Sequence, residues 1–303
     1  MVVEIGSEIR IRDASKELYD WAQENLIIPN PQYRERERRG LWVGNTPKYL
    51  WLYHVDGSDL IVPTGVGKQV RQFLSEKDQI YVHLADNGLL DYKGTIPLYD
   101  YQKEAVEVMQ RTSCGILQSP CGSGKTQMGI ALAAELGRKV LWVTHTQDLL
   151  IQSKTRAEQY FSSETLGTIT AGKAQVGSHI TFATVQTLCK MDLEQFRYTW
   201  DVVIVDECHR LAGSPTQVTM FYKVMNSLAA RHKYGLSATV HRSDGMIKST
   251  FAVLGPVIYK VPDEAVADKT MQVRILQRNT DITVSRSCLD TDGTLDYNEP
   301  VSY

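Results

Sequence analysis

The chain has 303 residues, a formal net charge of -2, 43% hydrophobic and 22% charged residues, a composition ordinary for a globular chain of about two domains. This balance excludes a globally basic nucleic-acid coat, so any nucleic-acid surface has to be local. No apolar run approaches the roughly 18–20 residues that cross a bilayer, Met1 to Asp13 lacks the apolar stretch of a secretory signal, and the Cys residues at 114, 121, 189, 208 and 288 show no C-x-x-C pairing; reduced thiols, a cytoplasmic setting and no membrane partner are expected.

Taken in chain order, Glu4 to Arg12 alternates as a strand, and Ser15 to Asn25 suits a short helix with a Ser cap. Tyr33 to Gly40 mixes charges of both signs and reads as a solvated segment. Leu50 to His54 and Asp59 to Val62 read as strands around the turn Asp56-Gly57, and Val70 to Leu74 as a short helix. Residues 1–94 are therefore expected to be a small α+β accessory domain without a catalytic constellation, with Asp91 to Pro97 as a linker. Residues 95–262 alternate strand and helix. The spacing predicts strands at 114–118, 139–144, 179–183, 201–206 and 233–237. Helices are predicted at 99–111, 125–137, 146–161, 186–197 and 215–230. Such alternation with strongly apolar strands implies an α/β domain with a mostly parallel sheet covered on both faces. Ligands in such sheets sit at the carboxyl ends of strands. Residues 263–303 read as a linker or lead-in, and Asp290-Thr291-Asp292-Gly293 within them as a turn.

Two segments carry chemistry. Ser119-Pro120-Cys121-Gly122-Ser123-Gly124-Lys125-Thr126 follows a short apolar strand and precedes a helical stretch. Gly122 and Gly124 let the backbone curl so that N–H groups converge on phosphates. Lys125 brings a cation to the β/γ-phosphates, and the Thr126 hydroxyl can ligate Mg²⁺. Ser119 stands where the G-x-x-x-x-G-K-[ST] form has its first Gly. The second segment is Asp206-Glu207-Cys208-His209, which follows Val202-Val203-Ile204-Val205. An Asp at a strand end beside a Glu suits a metal ion and an attacking water. Together the segments point to a nucleoside triphosphate held with Mg²⁺. Thr64-Gly65-Val66-Gly67-Lys68 imitates the first motif, but Gln69 follows its Lys, so it reads as a surface turn. Cys121 and Cys208 read as small fillers near the nucleotide.

From Leu98 to 262 the chain resembles a superfamily 2 helicase or translocase, through several motifs in order. Leu98 to Gln102 resembles the entry segment, 119–126 motif I, Val140 to Leu150 motif Ia, and Ile180 to Leu188 the later strand–helix motif that touches nucleic acid. Asp206 to His209 is similar to motif II of DECH type, and Ser237-Ala238-Thr239 to motif III. The following Arg242-Ser243-Asp244-Gly245 resembles the form found in XPB-like helicases, phage helicases and restriction-enzyme motor subunits. The resemblance implies a RecA-like domain. It implies that Pro120, Cys121, Gly122, Ser123, Gly124, Lys125 and Thr126 bind ATP and that Gln102 reads the adenine edge. Thr126 and Asp206 would hold Mg²⁺, partly through water, and Glu207 would activate the attacking water. Lys125, Asp206 and Glu207 are thus the implied catalytic group. His209, Ser237 and Thr239 would couple hydrolysis to movement, and Thr144, Thr146 and Thr184 would touch nucleic-acid phosphates. Read without the resemblance, Gln102 is a polar helix residue and the Ser and Thr residues are helix caps.

The resemblance also implies a second RecA-like domain, in this chain or a partner, and the sequence holds no second set of such motifs. The expectation is the N-terminal half of a motor that acts on DNA, duplex rather than single-stranded, with RNA left open. Two other readings stay in view: a catalytically weak nucleic-acid-binding regulator, and the motor part of a restriction or defence complex.

Overall fold

The computed structural model describes residues 1–170, 173–240 and 245–267. The first residues form two antiparallel strands, β1 (Val2–Ile5) and β2 (Glu8–Arg12), where alternation alone predicts one. Gly6-Ser7 turns the chain between them, and the Gly6 N–H donates to the Glu8 carbonyl at 2.8 Å. Helix α1 (Lys16–Asn25) starts at Ser15, whose hydroxyl accepts from the Leu18 N–H. Strand β3 (Ile27–Pro29) leads to α2 (Pro31–Arg38), capped by Asn30 with Pro31 in its first turn. The mixed-charge segment is thus solvent-facing but helical. Strand β4 (Tyr49–Trp51) pairs with β3. Then follow β5 (His54–Asp56), β6 (Asp59–Pro63), the short helix α3 (Gly67–Arg71) and β7 (Gln79–Val82). They complete a sheet of order β5-β6-β2-β1-β7 in which only β1 and β7 run parallel.

The second part begins at α4 (Asp100–Gln110) and β8 (Cys114–Gln118). It continues through α5 (Lys125–Leu136), β9 (Val140–Thr144) and α6 (Gln147–Ala157). Next come β10 (Leu166–Thr170), β11 (Lys173–Gln175), β12 (Ile180–Thr184) and α7 (Val185–Cys189). Strand β13 (Val202–Val205), α8 (Pro215–Ser227) and β14 (His232–Ser237) follow. The described part ends with α9 (Ile247–Leu254), β15 (Val257–Lys260) and α10 (Asp263–Val266). The eight strands lie in the order β11-β10-β12-β9-β13-β14-β8-β15, parallel except for the β10–β11 hairpin. This is an α/β fold of RecA-like kind with a small N-terminal sheet domain.

Apolar strands buried on both faces need helices on both faces, and two core clusters result. One gathers Met128, Ile130, Leu132, Trp142 and Phe182; the other gathers Val203, Trp200, Phe221 and Leu254. Helix α5 crosses so close that a Cβ on Gly129 would lie 2.6 Å from Trp142 Cη2. The phosphate-loop strand β8 and the acidic strand β13 flank β14, so their carboxyl ends open on the same edge.

The two parts share a core. Val3, Ile11, Leu18 and Leu60 cluster with Ala212, Val218, Met246 and Ala252. The expected surface turn at Thr64-Gly65 is instead part of this seam. Gly65 is buried, and a Cβ there would lie 2.5 Å from Gly255 N and 2.6 Å from Ala252 O. Lys233, at the start of β14, is 2% exposed and donates to the carbonyls of Ser7 at 3.0 Å and Met225 at 2.8 Å. The chain between the two parts is also pinned: the Asn87 N–H donates to Asp201 at 2.8 Å, and in the linker the Tyr92 hydroxyl donates to the Arg138 carbonyl at 2.7 Å. No described helix is long and apolar enough to cross a membrane. Arg242 to Asp244 and Asp290 to Gly293 lie outside the described residues.

Candidate nucleotide-binding site

The loop from Ser119 to Gly124 joins β8 to α5. Gly122 and Gly124 take φ of 78° and 83°, the left-handed region where a side chain is penalised. Among non-glycine described residues only Asp13 and Glu207 have positive φ, so Ser119 needs no glycine freedom. Ser119 is fully buried, and its hydroxyl meets that of Ser123 at 2.5 Å, which also donates to the Pro120 carbonyl at 2.7 Å. The serine therefore stiffens the loop. Lys125 opens α5, is 8% exposed, and reaches the Ser119 and Pro120 carbonyls at 3.4 Å each.

Asp206 ends β13. One carboxylate oxygen, Oδ1, accepts the Glu207 N–H at 3.0 Å, and the other, Oδ2, accepts the Ser153 hydroxyl at 3.3 Å. Burial, and next the neighbouring Glu207 charge, push its pKa up to about 6; the hydrogen bonds and Lys125 oppose that rise. Glu207 is held at φ 48°, ψ 48°, a left-handed conformation that costs a non-glycine residue about 1–3 kcal/mol. This turn aims its carboxylate back at the loop. Glu207 Oε1 lies 3.6 Å from Lys125 Nζ, and Oε2 lies 3.3 Å from His209 Nδ1. His209 Nδ1 in turn meets Ser237 Oγ at 2.9 Å. Because the Ser237 hydroxyl donates to the Thr239 carbonyl at 2.5 Å, the imidazole nitrogen is the donor in that contact. Polar groups thus succeed one another from Lys125 through Glu207 and His209 to Ser237 and Thr239, with Glu207 Oε2 buried and making no hydrogen bond.

Lys125, Asp206 and Glu207 line a cleft of about 1060 Å³, together with Tyr99, Tyr101, Gln102, Thr126, Ser153 and Arg156. Gln102 sits at its edge but is 4% exposed. Its carbonyl accepts the Tyr99 N–H at 2.9 Å and its amide donates to the Ser123 carbonyl at 2.9 Å. The side chain expected to read a base therefore braces the phosphate loop in this conformation. Sequence reading missed Ser153 and Arg156. Leu149, Gln152, Ser153 and Arg156 share one face of α6 at helical spacing, but that spacing does not say which site the face meets.

Cys208 is fully buried, and burial pushes its thiol up, whereas Cys121 is exposed. Thr144 is fully buried and donates its hydroxyl to the Thr146 carbonyl at 3.0 Å. The hydroxyl expected to touch a nucleic-acid phosphate holds a turn in this conformation. Thr146 is exposed and caps α6, and Thr184 caps α7. Among the described residues no group of three or more His, Cys, Asp or Glu forms a metal cage. The donors of the cleft, the Asp206 carboxylate and the Thr126 hydroxyl, suit Mg²⁺, which takes one or two protein oxygens and fills its shell with phosphates and waters.

Fold and site together define a RecA-like P-loop domain. The family model "Type III restriction enzyme, res subunit" matches residues 95–242. The DNA 3'-5' translocase XPB2 of Sulfurisphaera tokodaii is 29% identical over 207 residues, 67% of this chain and 45% of that protein. The DNA 3'-5' helicase XPB of Mycobacterium tuberculosis is 26% identical over 174 residues, 54% of this chain and 30% of that protein. The chain spans less than half the length of these relatives. Among solved structures, the UvsW helicase of bacteriophage T4 superposes with a TM-score of 0.60 at 20% identity, over 86% of this chain and 100% of that one, a likeness of fold. These likenesses support a superfamily 2 helicase, of the type shared by XPB-like helicases and restriction-enzyme motors.

Proposed function

We propose that this chain is the ATP-binding half of an ATP-dependent DNA helicase or translocase. The observation that carries the reading is the ion pair of Lys125 and Glu207, 3.6 Å apart across the cleft beside the buried Asp206. A triphosphate entering the cleft offers Lys125 a denser anion than Glu207. Lys125 then turns to the β/γ-phosphates, and the glycine-rich loop supplies N–H donors. Glu207, freed from the lysine, holds and deprotonates the attacking water. Mg²⁺, held by Thr126 and Asp206, would neutralise charge developing on the phosphates. His209 and Ser237 carry the change in Glu207 towards Thr239. The relatives named as DNA translocases and helicases support DNA as the partner.

The N-terminal domain helps engage duplex in this reading. It exposes Arg34 and Lys48, with Arg38 and Arg39 paired to Glu35, and the rings of Trp42, Tyr49 and Trp51, the kinds of cation and ring that suit phosphate and base. A second RecA-like domain, in this protein or a partner, would complete the cleft, and its arginine would be worth roughly 10³–10⁵ in turnover. ATPase assays with and without duplex DNA, beside Lys125→Ala and Glu207→Gln, test the proposal. Slow hydrolysis that both substitutions abolish is expected. Hydrolysis indifferent to both would refute it.

A further inference from the structure

We propose that Ser153 is a positioning residue that fixes the carboxylate plane of Asp206 for its cation; the assignment rests on the nucleotide reading above. Ser153 belongs neither to the phosphate loop nor to the Asp206–His209 segment. It projects from α6, 53 positions away in sequence, and its hydroxyl meets Asp206 Oδ2 at 3.3 Å. Both residues are buried, at 2% and 4% exposure. The torsion that orients a carboxylate is broad and two-fold, so one hydrogen bond leaves it free to turn. Asp206 has two anchors of different origin. Oδ1 is held by the N–H of the next residue, which moves with it. Oδ2 is held by Ser153, which does not. Only the second ties the carboxylate to a separate helix, and Asp206 so held is among the residues that line the cleft. Leu149, Gln152 and Arg156 on the same face of α6 line that cleft, so the helix is placed to sense what enters. Partners of this outer kind typically govern metal affinity by 10–100-fold.

The test is binding of a fluorescent non-hydrolysable ATP analogue to the full chain, titrated with Mg²⁺ and repeated in EDTA. Ser153→Ala should raise the Mg²⁺ concentration for half-maximal binding roughly tenfold, and leave metal-free nucleotide binding within about twofold. Ser153→Thr, which keeps the hydroxyl, should restore the wild-type midpoint to within about threefold. Ser153→Cys, similar in size but a weak donor, should behave like the alanine variant, and it carries the test if the alanine variant does not fold. A wild-type Mg²⁺ midpoint in the alanine or cysteine variant overturns the proposal. So does an equal shift in the threonine variant, which would mark Ser153 as packing alone. Absence of Mg²⁺-dependent binding in the wild type overturns the nucleotide reading first, and this assignment with it.

Discussion

Asp206 is buried beside a second carboxylate, and only two hydrogen bonds and Lys125 favour its charge. Its pKa of about 6 lies above the roughly 3.9 of an unfolded chain. The folded state therefore keeps a proton that the unfolded state has released between about pH 4 and 6. Stability of the nucleotide-free protein from this group is full below that window and is lost as pH rises through it. Cation binding has the opposite demand, because a protonated carboxyl is a poor ligand. Mg²⁺-dependent nucleotide affinity should thus fall as pH drops below about 6, and Asp206→Asn should flatten the dependence. Titrations between pH 5 and 8 measure this, and an affinity constant over that range would contradict the assignment. Glu207 adds a second residue-scale feature: a strained left-handed backbone at the residue proposed to activate water.

Packing of α5 on β9 sets two principles against each other. Helix propensity favours Ala over Gly by about 1 kcal/mol. A Cβ on Gly129, however, would press within 3 Å of Trp142 and Leu236, and overpacking costs about 1–3 kcal/mol. Gly129→Ala should therefore lower unfolding stability in denaturant by up to about 2 kcal/mol, whereas a gain would show that the contact relaxes freely. The elements themselves were unequally legible. β9 and β13 announce themselves as apolar runs, and α5 follows from a phosphate loop that needs a helix behind it. β10, rich in Gly and Thr, and β15, at the sheet edge, carry no such run. The helix predicted at 186–197 stops at Cys189 in α7 and resumes only as a short 3-10 turn at Glu194–Phe196. In the site, Lys125, Asp206 and Glu207 were readable because their chemistry demands a local spacing. Ser153 was not, since only the fold brings α6 to the end of β13. The burial of Thr144 was equally invisible, because a hydroxyl that closes a turn reads like one that faces a phosphate.

The whole molecule depends on how firmly its two sheets are joined. Lys233 reaches from β14, the strand that ends in Ser237, to the Ser7 carbonyl of the N-terminal domain. Burial pushes its pKa down to about 7, against about 10.4 when unfolded. Above pH 7 the unfolded chain binds the proton that the folded chain has released, so this group makes unfolding free energy rise with pH, by at most about 1.4 kcal/mol per unit. Lys233→Met lacks the contribution. The stability gap between wild type and variant should move in favour of the wild type from pH 7 to 9, and parallel curves would contradict the burial of this ammonium. At the same scale, one cleft gives the motor assignment its meaning. Equilibrium binding of a non-hydrolysable ATP analogue, with and without Mg²⁺, to wild type and Lys125→Ala tests it most directly. The account predicts Mg²⁺-dependent binding that the substitution removes. Binding that is absent, or that persists unchanged in Lys125→Ala, would contradict it.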